Sequence, residues 1–150
     1  MKIEDAIKQN KFDNQVEKGI VNIIYTYTWL RDAHANILKP YGILMQHFNI
    51  LRILRGAHPK SMCPGEIKEV MLDKGNDVTR LIDKLVSLGL AERKLCETNR
   101  RKMDVDITKE GLDLTQKISD ELAIISASIG ERISTKEVIE LNDLLDKIRD

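Results

Sequence analysis

The hydrophobic period of this chain changes at Gly89, and that change limits its architecture more than any other feature. Before it, apolar residues recur every three or four positions. After it, Met103, Val105 and Ile107 alternate with Lys102, Asp104 and Asp106. The first spacing puts a stripe along one side of a helix, and strict alternation makes a strand with one buried face. The order therefore predicts helices, then a short hairpin, then helices again: a mostly α fold with a small β-hairpin.

Breaker and capping residues divide the helical part. From Asn14 to about Leu38, the residues Val16, Ile20, Ile23, Ile24, Tyr27, Leu30, Ile37 and Leu38 mark a long helix that Pro40 and Gly42 stop. Leu44, Phe48, Leu51 and Leu54 mark a second, closed by Gly56 and Pro59. Pro64 suits the first position of a third helix, with Cys63 as its cap, Glu66 in its first turn, Ile67, Val70 and Met71 as its buried stripe, and Gly75 as its break. Asn76 is the predicted N-cap of a fourth, whose Val78, Leu81, Ile82, Leu85 and Val86 face inward until Gly89. Ala91 to Leu95 is the partner strand, and Glu97, Thr98, Asn99 and Arg100 make a polar hairpin tip. Thr108 caps a fifth helix carrying Leu112, Ile118, Leu122, Ile125 and Ile129. After Gly130, Ser134 and Glu137 form a capping box opening a sixth with Val138, Leu141, Leu145 and Ile148.

A short helix, a turn, a capped helix and then a cationic hairpin make a winged helix-turn-helix, in which the second helix fits the major groove of a duplex and the hairpin reaches to backbone or minor groove. The polar side of the fourth helix carries Asn76, Asp77, Thr79, Arg80, Asp83 and Lys84, of which Arg80 is the foremost candidate for reading a base. A solvated helix face has the same composition. The hairpin weighs against that bland reading, because Arg100, Arg101 and Lys102 gather like charge at a tip, where self-repulsion disfavours folding slightly and a polyanion would offset it.

A chain of 150 residues is the size of one domain with one core. Its formal net charge is zero, which advertises no polyanionic partner, but the charge is unevenly spread. Residues 1 to 60 hold nine Lys/Arg against five Asp/Glu, residues 61 to 107 nine of each, and residues 108 to 150 six against ten. Met1 to Asn10 already contains Lys2, Glu4, Asp5 and Lys8, so it is no secretory h-region, and no apolar run is long enough to span a membrane. These features predict a soluble cytoplasmic protein with no membrane partner. Cys63 and Cys96 have neither CxxC spacing nor disulfide-scaffold density, which predicts reduced thiols.

The run "VTRLIDKLVSLGLAERK" followed by "NRRKMDVDITKEG" resembles the recognition helix and wing of MarR-type transcriptional regulators, and the helix order matches that family along essentially the whole chain. The family's wing usually carries Asp-x-Arg ahead of a strand ending in Leu-Thr. Here Asn99-Arg100-Arg101 and Ile107-Thr108 take those places, so Arg101 matches the family's minor-groove arginine while Asn99 replaces the carboxylate that would pair with it. The resemblance implies one MarR-like domain over residues 1-150, with dimerisation helices at about 1-38 and 109-150 and the winged helix-turn-helix at about 44-108. It implies a homodimeric repressor of a palindromic operator in double-stranded DNA, released by a small aromatic or anionic effector. Ile3, Ile7, Leu141, Leu144, Leu145 and Ile148 are the dimer candidates, each of which an ordinary core would also explain. Expected DNA contacts are Asn76, Asp77, Thr79, Arg80, Lys84, Arg100, Arg101 and Lys102.

For the effector, Tyr25, Trp29, Tyr41, Met45, His47 and Phe48 concentrate large side chains around the first two long helices, as an apolar cleft or a bulky core would. His34, His47 and His58 show no i, i+4 pairing, so no metal site is expected, and no cofactor. Two other readings stand beside the repressor: a winged-helix scaffold that binds protein rather than DNA, and a thiol sensor using Cys63 at a helix N-terminus or Cys96 in the wing. No Ser/His/Asp or Cys/His order and no phosphate-binding glycine loop supports an enzyme.

Overall fold

The computed structural model describes residues 1–96, 99 and 102–150, and the chain divides into two compact units, Met1–Gly42 and Ile43–Asp150. The first holds a short helix α1 (Ile3–Ile7), the long helix α2 (Gln15–Leu38) and a single 3-10 turn at Lys39–Tyr41. Asn14 caps α2, its side chain accepting from the Glu17 N–H at 2.9 Å. Lys18 and Glu4 tie α2 to α1 through an ion pair. The apolar stripe of α2 finds no core: Val16, Ile20, Ile24 and Tyr27 are all more than half exposed, and Leu38 is the only buried residue of the helix. No described helix is long and apolar enough to cross a membrane.

The second unit runs α3 (Met45–Ala57), α4 (Pro64–Val70), α5 (Val78–Ser87), β1 (Ala91–Leu95), β2 (Met103–Ile107), α6 (Lys109–Gly130) and α7 (Thr135–Arg149). Its core joins Phe48, Ile50, Leu51 and Leu54 of α3 to Ile67 of α4, Ile82 and Leu85 of α5, Val105 of β2 and Ile118 of α6, all essentially without solvent contact. The hydrophobic pattern located all of these except Ile50, whereas Leu44 and Val70, expected in the apolar stripes of α3 and α4, are 61% and 57% exposed.

Local chemistry sets the element ends. Pro64 opens α4 at its first position, and Cys63 caps it: its thiol accepts from the Glu66 N–H while Glu66 accepts from the Cys63 N–H at 2.8 Å. Two expected boundaries move. Helix α4 ends at Val70, because Met71 is extended, and not at Gly75. The cap of α5 is Asp77, whose carboxylate accepts from the Arg80 N–H, and not Asn76, whose amide donates to the Asp73 carbonyl in the preceding turn. Both are good caps, and the turn consumes the first.

Gly89 closes α5 with φ +72°, a left-handed conformation that a side chain resists. Thr108 then ties the hairpin's end to both helices: its hydroxyl donates to the Gly89 carbonyl at 2.7 Å and accepts from the Gly111 N–H at 3.0 Å, capping α6. Behind it Gly111 packs so closely that a Cβ there would lie 2.1 Å from the Leu90 carbonyl oxygen. Ser134 and Glu137 form the expected capping box on α7.

Strands β1 and β2 pair antiparallel from Ala91↔Ile107 to Leu95↔Met103, and Met62 adds a single bridge to Val105 on the outer edge. The expected alternation fails at its two ends. Met103 is 41% exposed, beyond the reach of the core, and Asp106 is buried.

Candidate nucleic-acid interface

Helix α5 divides cleanly. Val78, Ile82 and Leu85 are buried, and Thr79, Arg80, Asp83 and Lys84 lie exposed on the opposite side, where the sequence placed them. The four exposed residues are not equivalent. Asp83 is held by Arg93 of β1 at 2.7 Å, an ion pair joining the helix to the first strand of the hairpin. Arg80 and Lys84 form no ion pair among the described residues. The one carboxylate in the middle of this face is thus neutralised from behind, and two cations stay available to an incoming anion.

At the start of α5, an open cleft is lined by Pro64, Gly65, Lys68, Gly75, Asn76, Asp77, Val78 and Thr79. It brings together Asn76, Asp77 and Thr79, expected as contacts, with Lys68 of α4, which the sequence reading passed over. The signal was there: Lys68 stands next to the buried Ile67 on the exposed side of the first helix of the helix-turn-helix. Asp77 holds the helix N-terminus and is engaged in doing so.

In the hairpin, Lys102 is exposed immediately before β2, and its N–H donates to the Asn99 carbonyl at 2.9 Å. Arg100 and Arg101, expected to grip the duplex, lie outside the described residues. Lower on the stem, Lys94 contacts Asp106 at 2.6 Å and Glu92 at 3.2 Å. These carboxylates raise the Lys94 pKa, the Asp106 hydrogen bond first among the causes.

The aromatic cluster expected to bind an effector is divided between the two units. In the first, Tyr25 helps line an apolar groove with Ile7, Val21, Ile24 and Thr28, Trp29 is 45% exposed, and Tyr41 sits in the 3-10 turn. In the second, Phe48 is fully buried core, and Met45 is half-buried at the start of α3. His47 is buried, and its Nδ1 accepts from the Leu44 N–H at 2.9 Å to cap that helix. Burial, and then the positive charge of Lys84, lowers the His47 pKa, so the imidazole is neutral. Cys63 and Cys96 are both half-buried thiols.

Helix α7 has no buried residue at all, and Ile139, Leu141, Leu144 and Ile148 are 47 to 66% exposed along it. Ile3, by contrast, is buried, as an ordinary core residue would be.

No protein-family model matches the chain. Among curated proteins it is similar to the HTH-type transcriptional regulator PecS of Dickeya dadantii, 26% identical over 118 residues, 77% of this chain and 70% of that one. It also resembles PrsX of Escherichia coli, 26% identical over 90 residues that make up 54% of PrsX. Among solved structures, a MarR transcription factor from Planctomyces limnophilus is 27% identical with a TM-score of 0.69, over 91% of this chain and 98% of that one. A mutant MarR from E. coli, solved with operator DNA, superposes with a TM-score of 0.77 at 24% identity, over 93% and 99% of the two chains. These similar proteins are transcription regulators, not enzymes.

Proposed function

We propose that the chain is a winged helix-turn-helix protein of the MarR type that binds double-stranded DNA as a homodimer and regulates transcription. The observation that carries the reading is the outer face of α5, where Arg80, Thr79 and Lys84 are exposed around an aspartate already neutralised by Arg93. The arrangement suits an approaching phosphate backbone, which an unpaired carboxylate there would repel. In this reading Arg80 reads a base edge, Lys68, Asn76 and Thr79 meet phosphates beside the cleft, Lys84 adds charge, and Arg100, Arg101 and Lys102 hold the flank of the duplex.

The exposed apolar rows of α2 and α7 support the dimer. Side chains such as Val16 at 72% and Ile148 at 66% exposure belong to a surface that a second copy covers. Two-fold symmetry then sets half-site centres about 34 to 36 Å apart on one face of the duplex. By the same reading the protein acts in the cytoplasm as a repressor, and a small aromatic or anionic effector releases it by binding better to a form whose two recognition helices are wrongly spaced. The groove beside Tyr25 is the place we assign to it.

The test is a salt titration of duplex binding with Arg80→Ala and Lys84→Ala. Arg80→Ala should weaken the preferred sequence by about 1 to 3 kcal/mol and relax preference at one base pair. Lys84→Ala should weaken all duplexes alike and flatten the salt dependence by about one ion. Wild-type affinity in both variants, on every duplex, would remove α5 from the interface.

A further inference from the structure

Glu92, Lys94, Asp104 and Asp106 occupy one face of the hairpin stem, because Glu92 pairs with Asp106 and Lys94 with Asp104 in the ladder. That face sets three carboxylates around one ammonium. Asp106 is the unusual member. Its side chain is only 10% exposed, one oxygen accepts from Lys94 at 2.6 Å, and the other is buried with no hydrogen-bond partner among the described residues. Lys94 itself is half exposed and touches Glu92 as well.

A surface lysine exchanges a solvated carboxylate for a phosphate at little cost, since water takes over the abandoned carboxylate. Lys94 has no such freedom. If it left, Asp106 would be a nearly buried carboxylate with Oδ1 unpaired and little room for water at Oδ2, the costly way to break an ion pair. Asp106 therefore holds Lys94 more firmly than an exposed acid would, in keeping with the raised pKa of the lysine.

We propose that Asp106 is a positioning residue that withholds Lys94 from the phosphates, and so limits how many counterions the hairpin displaces from any duplex. The inference rests on the DNA-binding reading above. It makes Asp106 a determinant of selectivity, because counterion release strengthens binding to every sequence equally and dilutes the share that base contacts decide.

The experiment follows the affinity of the intact protein for a random-sequence duplex against salt, with thermal melting to confirm that each variant is folded. Asp106→Asn should steepen the log–log slope by about 0.9, one phosphate more, and tighten binding at low salt. Adding Lys94→Gln to Asp106→Asn should return the slope to the wild-type value, which a merely structural loss would not do. Glu92→Gln, removing an exposed charge from the same face, should leave the slope unchanged. If Asp106→Asn does not fold, the double variant, which removes both charges together, still decides: a wild-type slope supports the proposal, and a slope flatter by about 0.9 shows Lys94 already on a phosphate and overturns it. An unchanged slope in folded Asp106→Asn, or an equal steepening in Glu92→Gln, also overturns it. Wild-type protein that binds no duplex under any salt overturns the DNA reading instead, and this inference falls with it.

Discussion

Single residues fix the geometry of the winged unit. Gly111 is the tightest: a methyl group there would meet the Leu90 carbonyl oxygen at 2.1 Å and Ile107 Cγ1 at 2.8 Å. Neither neighbour is a flexible side-chain end, so Gly111→Ala should lower the free energy of unfolding by about 1 to 3 kcal/mol, read as a shifted urea midpoint. His47 gives a pH dependence whose sign follows from its surroundings. Its folded pKa lies below the ordinary 6.5, so the unfolded chain takes up a proton first as pH falls. The stabilisation is therefore complete above the ordinary value and is lost as pH drops from about 6.5 through the lower folded value. His47→Gln retains an acceptor for the Leu44 N–H and does not titrate. The melting temperature of the wild type should fall relative to that variant between about pH 7 and pH 5, and parallel curves would show that the histidine is not responsible. Nothing in the sequence announced either residue's burden, because close approach and burial are produced by neighbours distant along the chain.

Among the elements, those defined by local chemistry were legible and those defined by their partners were not. The caps at Cys63, Thr108 and Ser134, the inward stripe of α5 and both strands follow from residue types at short spacing. The cap of α5 was displaced by one residue because Asn76 and Asp77 are chemically equal candidates, and the turn at Asp73 decides between them. Asp106 looked exposed because alternation assigns a strand's second face to water, whereas here that position is covered. Of the expected contacts, Thr79, Arg80 and Lys84 are exposed on one face, Asn76 and Asp77 border the same cleft, and Lys102 is exposed beside the hairpin. Because Asp77 caps the helix, Asp77→Ala should cost about 1 kcal/mol of stability, while Asp77→Asn, which keeps a capping oxygen, should cost little. Equal losses in the two, measured by denaturant unfolding, would assign Asp77 a role that needs its charge.

At the scale of the whole molecule, periodicity shows that a helix face is apolar but not what covers it. The rows on α2 and α7 were legible as stripes, and their exposure became visible only in the fold. A second copy covering them is the consequence we draw, and Leu144→Glu, at a position 52% exposed, tests it. The substitution should leave each chain folded, halve the mass seen by light scattering and abolish tight duplex binding, since one recognition helix alone makes half the contacts. A dimer of unchanged mass would place the interface elsewhere. The net charge of zero likewise concealed the proposed interface, because cations on one helix and in the hairpin sequence are balanced by carboxylates elsewhere. The central claim is that two such helices, related by symmetry, read one duplex. Selection of bound fragments from a random pool of duplex DNA by the intact protein tests it most directly. A palindrome with half-sites about 10 base pairs apart is the result predicted, and a pool that remains random after repeated rounds at physiological salt would contradict it.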